Sequence, residues 1–88
     1  MILDDVFHFL KAAGLTPTHA AFSTDYLGHS PRYYDYLRCS RAEPSLKSLL
    51  KLAMLLRDLA QAASCPDEQD TAALLAHRVM ARALTRCR

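Results

Sequence analysis

Between Leu27 and Leu56 the chain reads LGHSPRYYDYLRCSRAEPSLKSLLKLAMLL, and the order of breakers and apolar residues constrains what it can fold into. Gly28 can take the positive φ that ends a helix, and Ser30 can cap the next helix through its side-chain oxygen. Pro31 then falls at the first helical position, where its missing N–H is no loss. The spacing predicts a helix over about Pro31 to Cys39 that buries Tyr34 and Leu37 and turns Arg32, Tyr33, Asp35, Tyr36 and Arg38 to other faces. Ser40 to Glu43 reads as a basic loop, and Pro44 introduces a further helix from about Leu46 to Ala63. A helix end, a tight turn and a second helix follow one another in helix-turn-helix order.

A helix that carries arginine and tyrosine in its first turn suits the DNA major groove. Arginine can fork onto guanine there, and tyrosine can bond phosphates or touch thymine methyls. Leu27-Gly28-x-Ser30, apolar Tyr34 and Leu37, then Pro44-Ser45-Leu46 and Leu49-x-x-Leu52-Ala53-x-x-Leu56 resemble the Cro/lambda-repressor (XRE-type) helix-turn-helix family. The sixteen residues from Gly28 to Pro44 match that family's spacing between turn glycine and helix-four proline, and Gly14-Leu15-Thr16 resembles its entry into helix two. Here the connection from Gly14 to Gly28 is longer, and Pro31 stands where the family often places a base-reading side chain.

The resemblance implies an all-α, five-helix lambda-repressor-like domain that binds double-stranded DNA. It also implies a prokaryotic or phage transcriptional regulator, a homodimer placing two reading helices in major grooves about 34 Å apart on an imperfect palindrome. On this reading Arg32, Tyr33 and Tyr36 contact bases, and Ser30, Arg38, Arg41, Lys47 and His19 contact phosphates.

Elsewhere the pattern is equally helical. Helix one is predicted over about Asp4 to Ala13, with Leu3, Phe7 and Leu10 as its inner stripe, Val6 and Phe9 behind, and Gly14 at its end. Thr16-Pro17-Thr18 is a turn or a helix start, and helix two follows within His19 to Leu27. Ser23 is the alternative N-cap, with Phe22 and Leu27 as a hydrophobic staple. Helix four is apolar on most of its circumference, and helix five, entered through Pro66, Asp67 and Glu68, carries a second apolar arc. Residues 1–64 therefore form the helix-turn-helix core, and 65–88 a packing or dimerisation helix within one cooperative unit. Helices four and five build an extended monomer core or a homodimer interface; the dimer is the favoured reading, through Leu52, Leu55, Leu59, Leu75, Val79 and Ala83.

The net charge of +2 is unevenly placed. Residues 1–25 set Lys11 against Asp4, Asp5 and Asp25, a balance of −2. Residues 26–51 set Arg32, Arg38, Arg41, Lys47 and Lys51 against Asp35 and Glu43, a balance of +3, as a phosphate footprint requires. On helix five Arg78, Arg82 and Arg86 have no acid four residues before them; such a stripe could extend the phosphate contacts or meet acids across a dimer, and the favoured reading is a solvated face that complements the helix C-terminus.

Several classes are disfavoured. The 88 residues leave no room for a second, catalytic domain, and no nucleophile, base and orienting group converge, so no enzyme and no cofactor are expected. His8, His19, His29 and His77 do not stand at zinc spacing with the cysteines, so no metal is expected. Cys39, Cys65 and Cys87 read as free thiols, with Cys39 a small half-buried residue. No apolar run approaches the roughly twenty residues that span a bilayer. With Asp4 and Asp5 directly after the start, no leader is expected, and the location expected is the cytoplasm, in a prokaryotic nucleoid-associated pool. The competing class is an antitoxin-like or inhibitor-like protein-interaction module that keeps the fold without strong DNA binding and engages a protein partner.

Overall fold

Acids at the start of the first helix and a glycine at its end set its limits. In the computed structural model, which describes residues 2–86, α1 spans Ile2–Ala12, with Asp4 and Asp5 in its first turn. Gly14, at φ +75°, closes it: its N–H donates to Lys11 O at 3.0 Å, and the Leu15 N–H reaches Leu10 O at 2.9 Å. This is the pair of bonds of a Schellman motif. Leu3, Val6, Phe7 and Leu10 are buried, as their spacing predicts, and Phe9 is half-buried.

Helix two starts at Thr18. The Thr18 hydroxyl oxygen accepts from the Ala21 N–H at 3.1 Å and caps α2 (His19–Ala21), which runs on as a π-helical turn over Phe22–Tyr26. Ser23 is therefore not an N-cap. It lies inside the π turn, fully buried, where its hydroxyl donates to His19 O at 2.9 Å and accepts from the Tyr34 N–H at 2.9 Å. The wide turn absorbs part of the longer connection and keeps Phe22, Ser23 and Leu27 on the inner face. Gly28 at φ +69° ends the segment, with the His29 N–H donating to Ser23 O at 3.0 Å.

The entry to the next helix also differs from the expectation. Ser30 to Tyr33 forms a β-turn, closed by the Tyr33 N–H on Ser30 O at 3.0 Å, and Arg32 sits at φ −95°, ψ 1°. Pro31 presets the first corner of that turn, which is the place a fixed φ suits. α3 then spans Tyr33–Ser40, two residues later than Pro31, and no Ser30 side-chain cap forms. Tyr34 and Leu37 are buried as predicted. Arg41, at φ +56°, ends α3 in the left-handed region.

α4 (Leu46–Ala62) is capped by Ser45, whose hydroxyl oxygen accepts from the Ser48 N–H at 3.2 Å. Buried Ser48 in turn donates to Leu27 O at 2.9 Å, which ties the end of the π turn to α4. α5 (Pro66–Arg86) follows a three-residue connection and folds back along α4, bringing Ala73 and Met80 beside Ala60 and Ala53. The molecule is 18 Å through its thinnest axis, room for two helix layers.

This hairpin removes Leu52, Leu75, Val79 and Ala83 from the expected dimer interface. Leu52, Val79 and Ala83 are completely buried and Leu75 nearly so, all within one chain, while Leu55 and Leu59 are half-buried. α4 packs against the π turn and along α5, so Leu52, Leu75, Val79 and Ala83 belong to a monomer core, while Leu55 and Leu59 are only partly covered. Arg78 and Arg82 are likewise not simply solvated. Arg78 reaches Asp5 at 3.2 Å and Arg82 reaches Glu43 at 2.5 Å, half-exposed pairs that face the first helix and the loop after α3. Among the described residues no helix is long and apolar enough to cross a membrane.

Candidate nucleic-acid interface

The sequence-predicted contact residues lie on α3, in the turn before it, at its end and on α2 and α4, and the fold divides them into paired and unpaired groups. His19 is paired. Its Nδ1 lies 2.7 Å from Asp35 Oδ1, and its ring packs edge-on against Phe7 and Tyr34, with centroids 4.6 and 4.9 Å away. These contacts join α2 to α3 and leave the ring little freedom to meet a phosphate.

Arg38 is also engaged. Its Nε is 3.5 Å from Asp4, and its guanidinium stands 5.7 Å from the Tyr34 ring centre. The Tyr34 hydroxyl donates to the same Asp4 carboxylate. Burial, followed by that bond and the charge of Asp4, raises the Tyr34 pKa well above the ordinary phenol value.

Tyr33 does not point away from the protein as its place in the sequence implied. Its ring stacks on His29, 3.9 Å between centroids and 14° from parallel, and its hydroxyl accepts from the Ser45 N–H at 2.9 Å. The side chain therefore connects the turn to the start of α4, because a half-buried phenol beside an unpaired helix-terminal N–H satisfies both groups. Tyr36, one turn along α3, is 60% exposed, and Arg32 is exposed at the helix entry. The two lie four residues apart and form the free side of α3.

Lys47 occupies the exposed first turn of α4, and Lys51 follows one turn later. The Lys51 side chain lies against the turn: a Cβ placed on Gly28 would meet its Cδ at 3.2 Å. Among the described residues, Arg32, Arg41, Lys47 and Lys51 have no carboxylate within ion-pair distance, whereas Arg38, Arg78 and Arg82 each have one. Arg32, Lys47 and Lys51 thus form an unpaired cationic group around Gly28 to Arg32 and the adjoining end of α4, while Lys11, Arg57 and Arg86, also without a carboxylate partner among the described residues, stand on α1, farther along α4 and at the end of α5. Ser30 is exposed in the same turn. Lys51 and His29 were not singled out as contacts in the sequence; the four-residue spacing of Lys47 and Lys51 was the available signal.

Other chemistry is sparse. Cys39 and Cys65 are exposed free thiols, so Cys39 is not half-buried, and Cys87 lies outside the described residues. Among the described residues no three His, Cys, Asp or Glu side chains gather as metal ligands.

Fold and site define a small all-helical domain with unpaired cations around a tight interhelical turn. The chain belongs to DUF6626, a family of unknown function, over residues 3–87. No curated protein and no solved structure matches it.

Proposed function

We propose that this protein binds duplex DNA through α3 and the Gly28 turn and acts as a transcriptional regulator. The observation that carries the reading is the segregation of charge. Arg38, Arg78 and Arg82 have carboxylate partners inside the chain, whereas, among the described residues, Arg32, Lys47 and Lys51 gather unpaired around the turn, where an external anion can meet all three; Lys11, Arg57 and Arg86 lack such a partner too but stand on α1, farther along α4 and at the end of α5. The exposed Arg32–Tyr36 side of α3 supplies base-reading chemistry, and the resemblance to Cro/lambda-repressor domains supports the same use of this segment. Tyr33 and His19 position α3 rather than read DNA. Pairing of two copies on a palindrome remains part of the proposal, through a surface other than the buried α4–α5 contact.

Amide chemical-shift mapping with a short duplex tests the placement. Shifts concentrated at 28–36 and 45–51 support it; shifts confined to the outer face of α4 and α5 contradict it. A second reading, engagement of a partner protein, draws on Leu50 and Met54, which lie four residues apart on α4 and are 37% and 54% exposed.

A further inference from the structure

We propose that the groove between α3 and α5 is a binding site for a phosphorylated small molecule of nucleoside-diphosphate size. The groove has a volume of about 1300 Å³ and takes guanidinium groups from two separate elements. Arg38 and Arg41 come from α3 and its end, and Arg78 and Arg82 from consecutive turns of α5. Pro44 and Ala81 are among the apolar residues of the same lining. Two arginine pairs on opposite elements, with apolar surface alongside, suit a ligand that has two acidic groups and an organic body. A lone phosphate would leave much of this volume empty.

The existing partners of these arginines are replaceable. The ion pairs of Arg38, Arg78 and Arg82 are about half exposed, and pairs of that kind hold weakly. A phosphate accepts both N–H groups of a guanidinium fork and binds more strongly than a single-contact carboxylate. Arg41 needs no displacement, because no carboxylate pairs with it among the described residues. Against four arginines the lining sets Asp4, Asp35 and Glu43, a net charge of +1. Release of Glu43 from Arg82 is then the step that makes the groove strongly attractive to a polyanion. Glu43 stands in the non-helical loop between α3 and α4, where such a movement breaks no helical hydrogen bond.

This site is separate from the proposed DNA face and does not depend on it. The test is isothermal titration of the full chain with ADP, with adenosine as the uncharged control. ADP should bind while adenosine does not. Arg78→Ala and Arg41→Asn should each weaken ADP by about tenfold, the loss of one charge-assisted contact. Asparagine is used at 41 because it tolerates the left-handed backbone. Glu43→Gln should tighten ADP, an outcome that damage to the fold cannot produce. Absence of heat at millimolar ADP overturns the proposal, as does equal binding of adenosine. Loss of ADP binding in Lys47→Ala/Lys51→Ala, with the arginine variants unaffected, also overturns it, because the anion would then be held at the turn.

Discussion

The buried Ser23 hydroxyl accepts the backbone N–H of Tyr34 at 2.9 Å and thereby locks the π turn of the second helical segment to the first turn of α3. The same hydroxyl donates back to His19 O, so one small side chain sets the relation between the two helical arms that flank Gly28. Ser23→Ala leaves the Tyr34 N–H buried without an acceptor and should cost about 1–3 kcal/mol of stability. Urea denaturation of the variant checks this; an unchanged midpoint would show that the arms are held by apolar packing alone.

Tyr34 gives a pH prediction. Its pKa is raised in the folded protein by burial and by the bond to Asp4, above the ordinary value of 10.0. A raised pKa means that the folded state favours the protonated phenol. The associated stability is complete below the unfolded pKa and is lost as pH rises beyond it. The melting temperature should therefore fall as pH rises above about 10, and Tyr34→Phe should show a smaller fall over the same range. Equal slopes in both proteins would remove Tyr34 as the cause.

Thr16 is buried, and its hydroxyl finds no hydrogen-bond partner among the described residues. Replacing that hydroxyl by a methyl group removes an unsatisfied polar atom with little change of shape. Thr16→Val should raise stability by about 1 kcal/mol in thermal or urea unfolding. A loss of stability would mean that the hydroxyl has a partner in solution.

The two glycines at positive φ separate backbone strain from contact with the turn. Gly14→Ala and Gly28→Ala should each cost about 1–2 kcal/mol, because both force a Cβ into the left-handed region. Nothing lies within 4 Å of a Cβ at Gly14, whereas one at Gly28 displaces Lys51. Only Gly28→Ala should therefore also weaken DNA binding, as measured on folded protein below the melting temperature. Equal effects of both variants on binding would dissociate Lys51 from the interface.

The sequence pattern made the burial of α1 and of Tyr34 and Leu37 legible, because helical periodicity reports which stripe seeks the core. Pro44 likewise marked the start of α4. The π turn was not legible, since it depends on Ser23 meeting a backbone N–H eleven residues away. Periodicity also cannot say whether an apolar face is covered by its own chain or by another copy, which is why a dimer is the favoured sequence reading of Leu52, Leu75, Val79 and Ala83 although the fold buries them within one chain. For the candidate site, the basic segment was visible, but its division was not. Arg38–Asp4, Arg82–Glu43 and His19–Asp35 join residues distant in sequence, and only the fold decides which charges remain unpaired.

Within the proposed DNA interface, Arg32 and Lys47 should fail differently. Arg32→Ala should lose about 1–3 kcal/mol at the cognate site with little change on random DNA. Lys47→Ala should weaken all sequences together and reduce the salt slope by about one unit. Titrations at several salt concentrations distinguish the two patterns; identical behaviour of the variants would contradict the division into base and phosphate contacts.

The most direct test of DNA recognition is fluorescence anisotropy of the purified protein against the duplex upstream of its own gene and a scrambled duplex, over a range of salt. Preferential binding of the upstream duplex, with affinity falling steeply as salt rises, is the predicted result. Absence of binding to either duplex at micromolar protein and low salt would contradict the account.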